Sequence, residues 1–320
     1  MKKDSIYIAG HTGMVGSAIL NFLKKQNINL ITRSHKELDL TNQADVKNFF
    51  KLQKPDQVYL AAAKVGGINA NVKKPAEFIY ENLMIQANII HASFENKVKK
   101  LLFISSSCVY SKFSDQPIKE DSLLCNYLEK TVEPYAVAKI AGMKMCEAYN
   151  KQYFNKFSTD CRIIIPNNLF GPGDSYDPEN SHVVAALIKK FHEAKIKQKS
   201  KVILWGTGKP LREFLYLDDF VQSCILLMNT DSKFLRKKNL GSNYFNVGSG
   251  REISILELAK MIKTIVNYKG TIVLDNSKPD GVLRKFLDTK KIRSLGWKPK
   301  VSILNGLKKT YKDFKGQSIL

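Results

Sequence analysis

The first half of the chain alternates short apolar runs with longer amphipathic stretches, and this alternation predicts strands that alternate with helices. The apolar runs have the length and composition of buried strands and lie at 5–9, 27–32, 57–63, 99–107 and 161–169. The longer stretches have the length of helices and lie at about 14–25, 43–53, 76–96 and 133–150. Alternation of this kind predicts an α/β fold with a Rossmann-type, doubly wound parallel sheet.

The pattern changes after about residue 172, where the segment Gly-Pro-Gly-Asp interrupts it. A basic helix is predicted at 183–198, a short strand at 201–205, a loop at 205–220, and further helices follow. We therefore predict a Rossmann domain over 1–172, to which later strands from about 202–250 contribute. Residues 173–320 are predicted to form mainly a smaller C-terminal α+β lobe that binds substrate.

Composition places the chain among soluble globular proteins, since 44% of its 320 residues are hydrophobic and 25% are charged. No apolar run reaches the roughly 18 residues that a bilayer span needs. The start, MKKDSIYIAG, is not typical of a signal peptide, so we expect a cytoplasmic protein. Five scattered cysteines form no Cys-x-x-Cys pair and no Cys/His cluster, so neither a disulfide framework nor a metal site is expected.

The net charge of +22 is large for a chain of this length. Such a charge suits nucleic acid, an anionic membrane surface, a phosphorylated small ligand, or simply a solvated lysine surface. No zinc-finger, helix-turn-helix or RNA-recognition pattern accompanies the basic residues. We therefore expect neither a nucleic-acid partner nor a membrane partner.

A glycine-rich turn follows the first predicted strand and opens the first predicted helix. Its glycines are Gly10, Gly13 and Gly16, in the spacing Gly-x-x-Gly-x-x-Gly. Glycines here allow a tight turn and let backbone N–H groups approach a pyrophosphate at the helix N-terminus. The turn therefore predicts dinucleotide binding. The second strand ends at Thr32 and Arg33 rather than at an acidic residue, which favours the extra phosphate of NADP.

Two further motifs predict a site for hydride transfer. Tyr135 and Lys139 lie four apart, one turn from each other on a helix, where the ammonium is expected to lower the pKa of the phenol. The strand 99–107 ends in Ser105, Ser106, Ser107 and Cys108, at the strand edge where ligands bind in such sheets. Together they predict proton transfer at a carbonyl by Tyr135, tuned by Lys139 and positioned by a serine.

These motifs resemble the extended short-chain dehydrogenase/reductase superfamily over nearly the whole chain. The similarity is greatest to its branch that acts on GDP-linked 4-keto-6-deoxy sugars. The segments that carry it include GHTGMVGSAI, QVYLAAAKVGGI, SSSCVY, EPYAVAKIAGMKMCEAYN, NLFGPGD, SHV, WGTGKPLREFLYLDD, NVGSG and SKPDG. Two positions depart from the pattern: relatives often have arginine where this chain has Thr12, and often near His35. Both arginines are associated with the 2′-phosphate, a role that Arg33 is then expected to fill.

The resemblance implies a two-stage reaction, in which C3 and C5 are epimerised and NADPH then reduces C4. The resemblance assigns the reduction to Ser106, Tyr135 and Lys139. It assigns the epimerisation to Cys108 as the base and His182 as the acid. Protons next to a ketone are acidic, so a thiol and an imidazole on opposite sides suit this exchange. One alternative is left open: a sister enzyme that reduces another GDP-sugar, such as a heptose, with or without epimerisation. A non-catalytic nucleotide sensor is disfavoured by the intact Ser-Tyr-Lys set.

The resemblance also implies a set of binding residues and a partner. The cofactor NADP(H) is expected to contact Gly10, Thr12, Gly13, Met14, Val15, Gly16, Arg33, Asp39, Leu40, Ala62, Ser105, Lys139, Pro166, Asn168, Leu169 and His182. The GDP-sugar is expected to contact Ser107, Asn168, Lys189, Lys190, Trp205, Arg212, Lys278 and Asp280. A homodimer is expected, in which the helix after residue 76 and the Tyr-Lys helix pair with their mates in a four-helix bundle.

Overall fold

A computed structural model describes residues 4–157, 160–177, 181–237, 244–278 and 280–317. The strands in chain order are β1 Ser5–Ala9, β2 Asn29–Ile31, β3 Gln57–Leu60, β4 Lys100–Ile104, β5 Asp160–Pro166, β6 Asn168–Phe170, β7 Lys201–Trp205, β8 Leu211–Tyr216, β9 Tyr244–Val247, β10 Glu252–Ser254, β11 Thr271–Asp275 and β12 Arg284–Lys285. The helices are α1 Met14–Leu23, α2 Gln43–Gln53, α3 Ile68–Lys73, α4 Pro75–Glu95, α5 Glu133–Phe157, α6 Val183–Ile196, α7 Leu217–Asn229, α8 Ser232–Lys237, α9 Ile255–Val266, α10 Lys290–Arg293 and α11 Ile303–Gln317.

The main sheet has the order β2-β1-β3-β4-β5-β9, and every neighbouring pair in it is parallel. Apolar side chains of α2, α4 and α5 cover one face, and those of α1 and α7 cover the other. Strands β1, β4 and β5 are almost wholly buried because helices lie on both faces. The predicted α/β class and doubly wound parallel sheet are therefore confirmed.

The smaller lobe is built around β8, which pairs antiparallel with β10 and parallel with β6 and β12. A separate parallel pair, β7 and β11, lies beside it. Helices α6, α9 and α11 pack their apolar faces against these strands in a third hydrophobic core. Of the strands that the structure places within about 202–250, β9 joins the main sheet, whereas β7 and β8 lie in the lobe.

Two predicted boundaries were wrong. The segment 161–169 is not one strand, because it divides at Asn167 into β5 of the main sheet and β6 of the lobe. The predicted loop 205–220 contains β8 and the first residues of α7. Both errors arise where the chain crosses between sheets, since apolar periodicity reports burial but not which sheet a strand joins.

The contact between α4 and α5 brings the Tyr-Lys helix close to the sheet. A Cβ at Gly142 would lie 2.6 Å from the Phe103 ring and 2.7 Å from the Gln86 side chain. The Gln86 side chain donates a hydrogen bond to the Ala138 carbonyl. Glycine at 142 therefore permits the close approach that places the N-terminal part of α5 over the end of β4.

In the part of the chain that the structure describes, no helix is both long enough and apolar enough to cross a membrane. Three of the cysteines, Cys146, Cys161 and Cys224, are buried free thiols, while Cys125 is exposed.

Candidate active site

The glycine turn between β1 and α1 is tightly packed. Gly10 has φ +83°, and a Cβ there would lie 2.6 Å from the backbone nitrogen of Ala62. A Cβ at Gly16 would lie 2.1 Å from the Gly10 carbonyl oxygen. Gly13 precedes α1 without any side-chain cap, so the first N–H groups of the helix remain available to an anion. The buried Nδ1 of His11 beside this turn has no hydrogen-bond partner.

Gly16→Ala is expected to lower both the free energy of unfolding and the affinity for NADPH. Its methyl group would overlap the Gly10 carbonyl, and overpacking of this kind costs about 1–3 kcal/mol. Chemical denaturation and NADPH fluorescence titration measure the two effects. Gly316→Ala is the matched control, because nothing lies within 4 Å of a Cβ there. Equal behaviour of the two variants would contradict this account of the turn.

Arg33 lies at the end of β2, where the structure holds its guanidinium in place. Its Nη1 donates to the Thr32 carbonyl over 2.7 Å, and its Cζ lies 5.6 Å from the centre of the Phe49 ring. Thr12 is exposed, and the His35 side chain is 83% exposed. Arg33 is therefore a cation that is held in a fixed position at the end of β2. Asp39, by contrast, accepts hydrogen bonds from the backbone and hydroxyl of Thr41.

The other cofactor residues predicted from the sequence lie in the first turn of α1, at or after the ends of main-sheet strands, and in β6. Leu40 and Ala62 pack on one core cluster and Leu169 on another, and Pro166 ends β5. Asn168 donates its amide to Asn167 Oδ1 over 3.1 Å and to the Glu213 carbonyl over 2.9 Å. Met14 and Val15 form the first turn of α1.

Lys139 lies beneath Tyr135 on α5 and is 3% exposed. Its Nζ donates to the Ile104 carbonyl at the end of β4 over 2.9 Å, and lies 4.9 Å from the Phe103 ring centre and 5.9 Å from the Tyr135 ring centre. The Tyr135 ring meets Phe78 edge-on, with 6.2 Å between centroids. The helix thus fixes both side chains at one strand end.

The titration of the pair differs from the sequence-based prediction. Burial, with a contribution from Cys108, raises the pKa of the Tyr135 phenol above its ordinary value, and no lowering by Lys139 is found. Burial also lowers the pKa of Lys139 to about 8, against the opposing effect of Cys108. The ammonium donates to a backbone carbonyl, and desolvation outweighs its attraction for the phenolate. Tyr135 is therefore a protonated phenol near neutral pH, suited to act as an acid.

If the Lys139 ammonium supports reduction, kcat/KM for the keto-sugar is expected to fall as pH rises through about 8, where this group loses its proton. Arginine stays protonated throughout this pH range. The Lys139→Arg variant is therefore expected to reduce the sugar more slowly, but its kcat/KM should no longer fall as pH rises through about 8, so the alkaline limb of the pH profile is lost. Initial rates of NADPH oxidation between pH 6 and 10 provide the measurement. An alkaline limb that stays in place in Lys139→Arg would assign it to another group.

The three serines after β4 have different partners. The buried Ser105 hydroxyl contacts Met143 Sδ at 3.1 Å, and the buried Ser107 hydroxyl donates to Asn167 Oδ1 over 3.3 Å. Ser106 caps the 3-10 turn Ser107–Val109 by accepting from the Cys108 backbone N–H at 3.4 Å. Ser106 is the one of the three that interacts with Cys108, which suits its predicted place beside the reacting groups.

Cys108 lies among basic groups from two other elements. Burial raises the pKa of its thiol, while Lys285 on β12, the Ser106 hydroxyl and Lys139 on α5 lower it. The neighbouring Tyr135 phenol is affected by the same thiol. A partly buried thiol near two cations suits a base whose ionised form those cations stabilise.

His182 precedes α6 as its N-cap and is exposed. The carboxyl of Asp174 is 8% exposed and interacts electrostatically with the imidazole. Among the described residues, no hydrogen bond or ion pair joins His182 to Cys108 or Tyr135. The structure therefore brings Ser106, Cys108, Tyr135 and Lys139 together but does not link His182 to them directly.

The predicted substrate residues of the lobe surround the end of β7. Trp205 is 55% exposed, with Lys278 Nζ 5.7 Å from its ring centre. Asp280 accepts from the backbone and hydroxyl of Thr207 over 2.7 and 2.8 Å, so it orders the turn after Trp205. Lys189 and Lys190 donate to backbone carbonyls of Tyr176 and Ile203 over 2.9 and 2.7 Å.

Arg212 and Lys285 are directly opposite each other on β8 and β12. Burial lowers the pKa of both groups, and Arg212 lowers the pKa of Lys285 further, against the opposing effect of Cys108. Asp280 partly offsets this at Arg212. Two half-buried cations side by side are suited to an anionic ligand such as a diphosphate.

Sequence reasoning missed Lys285, Asn167 and Glu213. Glu213 is 0% exposed within β8 and accepts hydrogen bonds from Asn167, Gly250 and Leu287. One available signal was the acidic residue directly before the run 214–217, because a carboxylate that is buried beside such a run requires several hydrogen-bond donors. Lys285 gave no signal, because its neighbours in space are distant in sequence.

Comparison with known proteins identifies the family. The model of the NAD dependent epimerase/dehydratase family matches residues 6–248. The chain is 51% identical to a putative GDP-L-fucose synthase 2 of Arabidopsis thaliana, covering 97% of this chain and 91% of that protein. It is 48% identical to GDP-L-fucose synthase of Escherichia coli, covering 98% and 97%.

A solved structure, the GDP-mannoheptose C4 reductase from Campylobacter jejuni with NADP bound, has the same fold. The TM-score is 0.87 and the identity is 41%, with 98% of this chain and 99% of that chain covered. The agreement extends through both the Rossmann domain and the lobe. The chain belongs to the NAD dependent epimerase/dehydratase family and, within it, to the group of GDP-L-fucose synthases.

Proposed function

We propose that this protein epimerises GDP-4-keto-6-deoxy-D-mannose at C3 and C5 and reduces it at C4 with NADPH, which yields GDP-L-fucose. The observation that carries the proposal is the grouping of Ser106, Cys108, Tyr135 and Lys139 at the end of β4. This grouping lies in a chain that is 48% identical to the E. coli GDP-L-fucose synthase along nearly its whole length.

The glycine turn fits the cofactor. Gly10 and Gly16 are closely packed and have no side chains, so a pyrophosphate can approach the backbone of the turn. The uncapped start of α1 offers N–H groups to the pyrophosphate. Arg33 is the cation at the end of β2 for a 2′-phosphate, and relatives of this chain are solved with NADP bound. When bound, NADPH supplies the hydride that C4 receives.

Tyr135 donates the proton that the C4 oxygen needs during reduction. Its raised pKa keeps the phenol protonated near neutral pH, so it is ready to act as an acid. Lys139, fixed to the Ile104 carbonyl, provides positive charge beneath the phenol as the proton leaves. Ser106 donates a hydrogen bond to the same oxygen and orients the ketone.

Cys108 removes the protons at C3 and C5, and His182 returns protons on the opposite face. The thiol lies one residue beyond Ser107 and near Lys285 and Lys139, whose charges favour its ionised form. His182 is the N-cap of α6, a helix of the lobe. In this scheme, Trp205 lines the guanine site and Arg212 with Lys285 binds the diphosphate, while Lys189, Lys190 and Lys278 add positive charge around it.

A second candidate substrate is a GDP-heptose. The C. jejuni GDP-mannoheptose C4 reductase is 41% identical and has the same fold, so C4 reduction of a larger sugar is compatible with this scaffold. The presence of both Cys108 and His182 favours chemistry that includes epimerisation.

The test is incubation with GDP-4-keto-6-deoxy-mannose and NADPH in deuterated water, with product identification by NMR. Oxidation of NADPH with deuterium at C3 and C5 is the expected result. No oxidation of NADPH would exclude the proposed substrate, and oxidation without deuterium would leave a simple C4 reductase. A parallel incubation with a GDP-4-keto-heptose compares kcat/KM for the two sugars.

The proposal includes a homodimer through a four-helix bundle of α4 and α5 from each subunit. Val137 on α5 and Tyr80 on α4 are 41% and 61% exposed, whereas Ile140 and Met143 belong to the core of the subunit. Sedimentation of the wild type and of Val137→Glu tests this seam, and identical monomeric behaviour would refute it.

Five free thiols suit a reducing compartment, so we place the protein in the cytoplasm.

A further inference from the structure

The carboxyl of Glu213 is buried within β8 and takes part in no ion pair that the structure shows. Asn167 Nδ2 donates to its Oε2 over 2.7 Å, the Gly250 N–H donates to Oε1 over 2.6 Å, and the Leu287 N–H donates to Oε2 over 3.2 Å. Burying a carboxylate costs several kcal/mol unless such donors replace water. A leucine in this strand would avoid that cost, so the carboxylate calls for an explanation beyond packing.

The three donors come from three separate elements. Asn167 joins β5 to β6, Gly250 follows β9, and Leu287 follows β12. A Cβ on Gly248 would lie 2.4 Å from both carboxyl oxygens, so the backbone after β9 approaches Glu213 closely. The carboxylate therefore fixes the ends of two main-sheet strands to the strands of the lobe.

On one side, this network reaches the segment that carries Cys108. The side-chain oxygen of Asn167 accepts from the Ser107 hydroxyl at 3.3 Å, and Ser107 opens the 3-10 turn that contains Cys108. Asn167 and Ser107 are each 5% exposed, so water does not compete for these bonds. One amide thus connects the carboxylate to the residue next to the thiol.

On the other side, the network reaches the cation beside the thiol. Asn167 Nδ2 also donates to the Lys285 carbonyl over 3.2 Å, and Leu287 follows two residues later. Charged and titratable groups from two elements face Cys108, namely Lys285 on β12 and Lys139 with Tyr135 on α5. Lys139 is fixed independently through Ile104, whereas the backbone around Lys285 is held by pairing with β8 and by Asn167 and Glu213 at the Lys285 carbonyl and the Leu287 N–H.

We propose that Glu213 is a positioning residue for epimerisation, which holds the Cys108 turn and Lys285 at a fixed separation through Asn167 and the Leu287 N–H. It touches neither substrate nor cofactor. Its effect on the thiol is expected to appear in the epimerisation half of the reaction, while the reductase groups on α5 keep their own anchors. The inference rests on the proposed function in assigning Cys108 as the base.

Glu213→Gln tests the proposal because it keeps the shape of the side chain but replaces one acceptor oxygen with a donor. Deuterium entry at C3 and C5 is expected to slow by about 10-fold or more. The rate of Cys108 alkylation by iodoacetamide at pH 7, measured in a Cys125→Ser background, is expected to fall and its pH midpoint to rise. The dissociation constant for NADPH is expected to stay within about twofold.

Glu252→Gln is the matched control, because Glu252 is the residue paired directly opposite Glu213 on β10 but binds Arg284 instead. It is expected to leave exchange and alkylation unchanged. If Glu213→Gln fails to fold, Asn167→Ala breaks the same connection while Glu213 keeps its two backbone donors, and the same results are expected.

Unchanged exchange and alkylation in these variants would overturn the proposal. A parallel loss of exchange, reduction and NADPH affinity would also overturn it, since that pattern indicates a purely structural role. The alkylation profile needs no sugar, so it remains decisive even if the wild type fails to act on GDP-4-keto-6-deoxy-mannose. That failure would instead refute the proposed function.

Discussion

Tyr135→Phe is expected to slow C4 reduction by about 10²–10⁴-fold, the usual contribution of a positioned general acid. The substitution removes the hydroxyl but keeps the ring, so its edge-on contact with Phe78 at 6.2 Å is retained. NADPH affinity and the melting temperature should therefore change little. Single-turnover oxidation of bound NADPH measures the loss.

The same variant is expected to keep exchanging deuterium at C3, because the thiol of Cys108 does not depend on the Tyr135 hydroxyl. Tyr268→Phe is the control: it removes a phenol hydroxyl that donates to the Lys199 carbonyl over 2.7 Å within the lobe. Its rate of reduction should match the wild type. Loss of exchange together with reduction in Tyr135→Phe would show that the two stages share one acid.

Cys108→Ser is expected to show the opposite pattern, with deuterium exchange reduced by about 10²–10⁴-fold and hydride transfer retained. Serine is nearly the same size as cysteine, but its hydroxyl is a far weaker acid, so Lys285 and Lys139 do not ionise it. The retained reduction should give a product that is reduced at C4 and not epimerised.

NMR of the products in deuterated water distinguishes these outcomes. Cys125→Ser is the matched control, because Cys125 is an exposed thiol outside the group around Tyr135. It should exchange deuterium at the wild-type rate. Full exchange in Cys108→Ser would assign the base to another residue and would also remove the basis for a positioning role of Glu213.

The sequence predicted the site best where the residues that act together are close in the chain. The glycine turn and Tyr135 with Lys139 each lie within one continuous segment, where spacing along the chain fixes spacing in the structure. The sequence missed Glu213, Asn167 and Lys285 because their partners are far away in the chain. The sequence analysis also predicted a loop at 205–220, although this segment contains β8. The glycines and the proline at the start of the segment are typical of loops, and they conceal the strand that follows.

The titration of Tyr135 shows a different limit. Helical spacing places a lysine near the phenol but does not reveal where the ammonium points or how dry the site is. The structure directs Lys139 to the Ile104 carbonyl, buries Lys139 and partly buries Tyr135, so desolvation has the largest effect on the pKa of each. The protonated state of Tyr135, which suits an acid, follows from this desolvation rather than from the motif.

The amino-acid sequence by itself determined the α/β class and the dinucleotide turn, and it predicted the reductase groups, since each of these signals depends on neighbours within a few residues. Tertiary structure alone decided which strands join which sheet, which of three serines meets Cys108, and which cations lie beside the thiol. The physical reason is that burial and electrostatic interaction depend on distance in space. Several strands and loops, distant in sequence, converge on Glu213 and Cys108 only once the sheets have formed.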